Sequence, residues 1–295
     1  MDFPITSPVQ KIEDAVFSEQ KIELYLKRDD LIHPLISGNK WRKLKYLLAD
    51  AKFQHKRHLV TFGGAFSNHL LATASAGATF GFKTTGFVRG EEVTNDTLFM
   101  CSLLGMKLIF TDRNSYQHKP ELFLQYFSDD PEAYFIDEGG ASAKAAEGCT
   151  ELVDELDEKF DHLFCACGTG TTAAGIINGL ARNHLSTQFH AIPVFKKADW
   201  MQQEIEKYLL KEASFKLHTD YGFGGYAKTS PELLTFIKNF IAATGILIDP
   251  VYTGKMLYAV YDLARKQYFL PGTKILAVHT GGIFGLFGMK NLLSA

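Results

Sequence analysis

Short apolar runs alternate with amphipathic stretches along most of this chain, and the two periods mark its elements. The runs His58 to Phe62, Lys83 to Val88, Met106 to Thr111 and Ala133 to Ile136 read as buried strands. So do His162 to Ala166, Phe189 to Phe195 and Lys274 to Val278. Helical spacing fills the stretches between them: from Ser67 onward, then Asn95 to Leu104, Ser142 to Phe160, Thr171 to Ala181, Asp199 to Leu210 and Lys255 to Lys266. Trp41 to Leu48 is a further helical stretch. Ser230-Pro231-Glu232 supplies an N-cap and a proline at the first helical position, opening a helix to about Ala243.

Apolar strands separated by helices predict an α/β fold with parallel strands covered on both faces and joined by right-handed crossovers. In such sheets ligands bind beyond the carboxyl ends of the strands. Gly63-Gly64, Cys167-Gly168 and Thr280-Gly281-Gly282 all sit at predicted carboxyl ends, so they are expected to converge on one crevice.

Composition narrows the function. A chain of 295 residues with 46% hydrophobic residues can bury a sizeable core, and it is long enough for two domains. A formal net charge of -2 gives no general attraction to nucleic acid or to an anionic membrane. No apolar run reaches the ~18 residues of a membrane span. The start Met1-Asp2-Phe3-Pro4-Ile5 lacks the basic and apolar regions of a signal peptide, so the cytoplasm is the expected location. None of the four cysteines forms a C-x-x-C pair, and Cys165 and Cys167 read as small core residues at a strand end. The ten histidines show no metal-ligand spacing, so no metal is expected.

Two segments carry candidate chemistry. In Ser37-Gly38-Asn39-Lys40-Trp41-Arg42-Lys43 the lysine at 40 is crowded by cations and stands at a helix amino terminus. Neighbouring positive charge, burial and the helix dipole all lower a lysine pKa, and the neutral amine is a nucleophile. Lys43 lies one turn further on the same side. A solvated basic helix start fits the same composition. The second segment, Cys167-Gly168-Thr169-Gly170-Thr171-Thr172, follows a strand and opens a helix. Glycines let backbone N–H groups approach an anion, and the helix terminus adds partial positive charge. The segment is not a P-loop. By itself it does not separate a dinucleotide from a single phosphate. Together, an amine and a phosphate cradle suggest pyridoxal phosphate.

The order of these motifs carries a resemblance. Lys27-Arg28-Asp29-Asp30-Leu31, the lysine segment, Gly63-Gly64-Ala65-Phe66-Ser67-Asn68-His69, the glycine-threonine loop, Asp249-Pro250-Val251-Tyr252-Thr253-Gly254-Lys255 and His279-Thr280-Gly281-Gly282 resemble the pyridoxal-phosphate enzymes grouped as 1-aminocyclopropane-1-carboxylate deaminase and D-cysteine desulfhydrase. The resemblance implies the tryptophan-synthase-β-like fold (fold type II): two open, twisted, mostly parallel sheets flanked by helices. A large cofactor domain would comprise residues 1–50 and 148–295, a small domain residues 51–147. It also implies a homodimer acting on a small amino acid.

Residue roles follow from the same resemblance. Lys40 would hold the cofactor as a Schiff base and move protons at the substrate Cα. Lys43 would touch the phosphate, as would Gly168, Thr169, Gly170, Thr171 and Thr172. Asn68 would bond the cofactor's phenolic oxygen. Ser67, Asn68 and His69 would receive the substrate carboxylate, with Ser67 a further acid or base. Tyr226 and Tyr252 match two active-site tyrosines, although either could be a packed aromatic. Trp41 and the region Val194 to Tyr221, which matches the family least, are candidates to line the substrate pocket.

Two positions bear on the branch. The deaminases typically carry glutamate where this chain has Thr253, facing the pyridine nitrogen, and leucine where it has Thr280. Both threonines, and Ser67-Asn68-His69, resemble the desulfhydrase pattern. A hydroxyl stabilises a protonated pyridine less than a carboxylate does, which suits loss of a good leaving group such as thiolate. The expected reaction is β-elimination from D-cysteine or a related small D-amino acid, giving pyruvate, ammonia and sulfide. The alternatives are cyclopropane deamination to 2-oxobutyrate and ammonia, or cofactor binding without turnover.

Overall fold

The alternation of short apolar runs and helices builds two sheets in the computed structural model, which describes residues 5–36 and 38–293. Ser37 and the start Met1 to Pro4 lie outside the described residues. The strands are β1 (Val9–Ile12), β2 (Glu23–Lys27), β3 (His58–Gly64), β4 (Lys83–Arg89), β5 (Met106–Thr111), β6 (Ala133–Ile136), β7 (His162–Cys167), β8 (Gln188–Pro193), β9 (Lys216–Leu217) and β10 (Lys274–Val278). One sheet has the order β1-β2-β10-β7-β8-β9, the other β5-β4-β3-β6. Every pairing is parallel except β1 with β2, which are antiparallel neighbours. The predicted α/β class and mostly parallel sheets therefore hold. The strands β1, β2 and β9 are additions to the sequence reading.

Crossover helices explain the burial pattern. The strands β3, β7 and β10 are almost wholly buried, as strands covered on both faces must be. The helix Asn39–Phe53 turns Trp41, Leu44, Leu48 and Ala51 onto one face, where they pack with Leu59 of β3 and with Ala72 and Ala76. Trp41 is fully buried there and stacks on Phe80 at 5.6 Å. This corrects its expected place on the substrate pocket. Consecutive helical residues are turned about 100° apart, so the residue after Lys40 points elsewhere.

A buried ionic cluster fixes that helix to the larger sheet. The guanidinium of Arg42 donates to both oxygens of Asp29, at 2.6 and 2.7 Å, and to both of Glu155, at 2.9 and 2.8 Å. Lys27 of β2 donates to Glu155 at 2.7 Å. Arg42 and Asp29 are buried, so removal of one partner leaves an uncompensated charge, a loss of about 3–5 kcal/mol. Glu155 is also the C-cap of the helix Ala143–Asp154. Its recruitment coincides with the end of that helix, which stops well before the predicted Phe160.

A second polar device crosses the larger sheet. His162 Nδ1 lies 2.8 Å from His190 Nε2, and His190 Nδ1 lies 2.9 Å from His218 Nε2. Phe164 stacks on the central ring at 4.2 Å. Burial first, then the two flanking histidines, push the His190 pKa down to about 2. The row is therefore neutral at ordinary pH, with each ring able to donate one N–H.

Candidate active site

The carboxyl ends of both sheets open on one cavity of about 710 Å³. Gly64 at the end of β3, Cys167 and Gly168 at the end of β7, and Thr280 to Gly282 beyond β10 all line it. The three strand-end glycine segments converge as expected.

Lys40 stands in the first turn of Asn39–Phe53 and lines the cavity together with Lys43. Burial, then the charge of Lys43, lowers its pKa to about 7. Burial lowers Lys43 as well, and its Nζ donates to the Gly139 carbonyl at 3.0 Å. The segment is thus a packed wall, and the solvated helix start fails. Asn39 joins the two candidate segments directly, its Nδ2 donating to Thr172 Oγ1 at 2.8 Å. Sequence reading assigned Asn39 no role, although its place before the lysine was visible.

The glycine-threonine loop leaves β7 and opens the helix Thr171–Arg182. Gly170 is its N-cap and makes no side-chain capping bond. The N–H groups of the first turn therefore depend on partners outside the helix. Gly170 has φ +74, and a Cβ there would stand 2.9 Å from the Glu204 backbone. A Cβ at Gly168 would stand 3.1 Å from the Tyr252 ring. Gly168, Thr169, Gly170 and Thr172 line the cavity. Thr171 does not. It is fully buried, and its hydroxyl lies 3.2 Å from that of Thr169.

Ser67, Asn68 and His69 reach the cavity from the start of the helix Asn68–Phe80. Ser67 Oγ accepts from the N–H groups of His69 and Leu70, at 3.2 and 3.3 Å, which leaves its own proton to donate. The Thr61 hydroxyl donates to the Ile136 carbonyl at 2.9 Å, so it must accept from His69 Nε2, also at 2.9 Å. His69 Nδ1 is then a bare acceptor, buried without a partner among the described residues. Burial, then Lys40 and Lys43, hold the ring pKa well below 6.5. A neutral ring with this tautomer has no side-chain proton to offer a carboxylate from Nδ1.

Aromatic side chains form a further wall, beside Gly168. Tyr252 donates to Tyr226 at 3.4 Å, and Tyr226 stacks on Phe195 at 5.6 Å. Trp200 lies 5.1 Å from Phe195. Burial raises both tyrosine pKa values, that of Tyr252 well above 10, so each is a neutral O–H. Phe195, Trp200, Glu204 and Lys207 line the cavity, so the poorly matched region from Val194 does reach the pocket.

Thr280 lines the cavity, whereas Thr253 does not. The Thr253 Oγ1 is fully buried and has no partner among the described residues. Asp249, in the same turn, accepts from the N–H groups of Val251, Tyr252 and Thr253, at 2.8, 2.8 and 2.9 Å. A lysine with depressed pKa and an uncapped glycine loop, both on the cavity, fit a ligand with a carbonyl at one end and a phosphate at the other. Among the described residues no group of three or more His, Cys, Asp or Glu side chains could hold a metal ion, and no helix is long and apolar enough to cross a membrane.

Comparison with known proteins agrees with this geometry. Residues 6–281 match the family described as pyridoxal-phosphate dependent enzyme. A protein of Pyrococcus horikoshii, named provisionally as a 1-aminocyclopropane-1-carboxylate deaminase, is 33% identical over 96% of this chain and 91% of its own length. The D-cysteine desulfhydrase of Yersinia enterocolitica is 30% identical over 90% of this chain and 88% of its own. A crystal structure of an ACC deaminase homologue superposes with a TM-score of 0.90, at 31% identity, covering 99% of this chain and 94% of that one. The chain belongs to the pyridoxal-phosphate dependent enzymes, in the group that holds both the 1-aminocyclopropane-1-carboxylate deaminases and the D-cysteine desulfhydrases.

Proposed function

We propose that this enzyme is a lyase that removes sulfide from D-cysteine or a related small D-amino acid. One observation carries the choice: the buried position at 253 holds a neutral hydroxyl, and the nearby Asp249 carboxylate is committed to three backbone N–H groups. No free carboxylate is then available in that turn to favour a fully protonated pyridine ring, which suits departure of a stable thiolate better than opening of a cyclopropane. Relatives carry both names, so deamination to 2-oxobutyrate stands as the second candidate.

Pyridoxal phosphate supplies an aldehyde for the amino groups and a ring that accepts the electron pair left at Cα. Lys40, Lys43 and the loop Gly168–Thr172 would hold it. Lys40, half neutral near pH 7, is the base that takes the Cα proton. The Ser67 hydroxyl and the Asn68 amide bind the substrate carboxylate. The Tyr226 and Tyr252 hydroxyls line the cavity, Tyr252 beside Gly168 of the loop, and one of them can give its proton to the leaving sulfur. The Cα–H and Cβ–S bonds break, the sulfur leaves with its electron pair, and water replaces nitrogen. D-cysteine and water thus become pyruvate, ammonia and hydrogen sulfide.

A keto-acid release screen over D- and L-cysteine, D-serine, β-chloro-D-alanine and 1-aminocyclopropane-1-carboxylate tests this. Pyruvate and sulfide from D-cysteine, abolished in Lys40→Ala, is the expected result. Faster 2-oxobutyrate release from the cyclopropane substrate would establish the second reading. Cofactor binding with no turnover of any of the five would reject both.

A further inference from the structure

Lys255 is fully buried, two residues after Thr253. Its Nζ donates to three backbone carbonyls: Gly222 at 2.8 Å, Gly225 at 2.8 Å and Val194 at 3.2 Å. An ammonium has three protons, and all three are placed. Two of the acceptors lie in the loop that leads into Tyr226. That loop holds an unusual backbone: Phe223, Gly224, Gly225 and Ala227 have φ of 48, 88, 126 and 55. Phe223 and Ala227 pay for left-handed φ that L-residues avoid, so the surroundings must hold the loop in shape. Its own hydrogen bonds are few: Gly225 N–H to Gly222 O at 2.9 Å and Lys228 N–H to Gly225 O at 3.1 Å.

We propose that Lys255 is a positioning residue: its ammonium clamps the loop Gly222–Gly225 against the end of β8 and so sets the Tyr226 hydroxyl against Tyr252. The covalent path supports the geometry. Tyr252 is the N-cap of the helix Thr253–Arg265 that carries Lys255, so one short segment fixes both tyrosines. The Val194 carbonyl adds the strand that leads into Phe195, on which Tyr226 stacks. A neutral side chain of the same length would take one donor from each of three buried carbonyls, leave those of Gly222 and Gly225 only their bonds within the loop, and free the loop to relax.

The claim that Tyr226 acts on substrate rests on the proposed function; the clamp itself does not. The test therefore has two arms. Lys228 is exposed in the same loop, so tryptic cleavage after it reports how often the loop opens. In the holoenzyme, Lys255→Met should speed that cleavage at least tenfold. Gly225→Ala, which disturbs one acceptor at φ +126 and leaves the buried ammonium in place, should act in the same direction and serves if Lys255→Met does not fold. In the kinetic arm, Lys255→Met should lower kcat about tenfold with little change in KM. That loss should shrink below twofold in a Tyr226→Phe background, which a lysine of purely structural use would not produce. Unchanged cleavage after Lys228, or a full loss of kcat retained in Tyr226→Phe, overturns the proposal. If no amino acid is turned over, the proposed function has failed and the proteolysis arm alone decides the clamp.

Discussion

Lys40 is expected to titrate far below an ordinary lysine, and the size of the effect can be worked out. Its pKa of about 7 against 10.5 means that half the amine is neutral at pH 7. For an unperturbed lysine the neutral fraction there is on the order of a thousandfold smaller. Burial is the larger cause and the Lys43 charge the smaller one. Lys43→Met removes only the second, so the midpoint should rise but stay below 10.5. The assay is peptide-resolved mass spectrometry of the cofactor-free protein, pulsed with an amine-acylating reagent from pH 5.5 to 10 beside a lysine peptide. Wild-type Lys40 should reach half its limiting rate near pH 7. The Lys43→Met protein should do so at higher pH. A wild-type midpoint near 10, or a midpoint in Lys43→Met that stays put or falls, would refute the account of this wall.

Two further predictions concern stability. His190 is held neutral in the fold at about 2 but titrates near 6.5 when unfolded, so the unfolded state binds the extra proton. Its contribution is complete above pH 6.5 and is lost as pH falls towards 2, amounting to about 2 kcal/mol by pH 5. Urea unfolding at pH 7.5 and 5 should show that excess acid loss in the wild type relative to His190→Asn, and parallel losses would sink the assignment. Gly170 and Gly245 share nearly the same positive φ, +74 and +70, but only Gly170 has backbone within reach of a Cβ. Gly245→Ala should therefore cost only the left-handed strain of about 1–2 kcal/mol. Gly170→Ala should cost more in Tm and also weaken cofactor binding at least tenfold by spectroscopic titration, and equal effects would contradict the cradle.

The parts of the site legible in the sequence were those where local chemistry and strand order act together. The glycines at the ends of β3 and β7 and beyond β10 mark backbone that must turn away from a sheet, and parallel topology sends all such ends to one side. Lys40 was legible as a crowded amine, but its burial was not, because the wall that buries it comes from distant segments. Trp41 was misplaced since adjacency in sequence is not adjacency on a helix. β2 was passed over because Glu23-Leu24-Tyr25-Leu26-Lys27 mixes charge into a short run, and its buried Lys27 is paired with Glu155, far along the chain, and with the Ser7 carbonyl. Lys255 reads as an ordinary helical lysine until three remote carbonyls are brought to it. The same limit applies to His69, whose tautomer is dictated by Thr61 and Ile136.

The placement of β2 has a bearing on how the enzyme comes into being on the ribosome. Its only parallel neighbour is β10, with Glu23–Lys27 in register against Lys274–Val278. The four strands of the other sheet are contiguous, from His58 to Ile136, and can pair soon after synthesis. The strand that anchors the lysine-bearing helix must wait until about 250 further residues have been made, a long-range closure that slows folding. Early in that wait the Arg42 cluster has Asp29 but not yet Glu155, and throughout it has no completed sheet beneath it. The cavity thus acquires its last wall at the final step of assembly, and a nascent chain cut short before Lys274 would lack the surface that holds Lys40 in place.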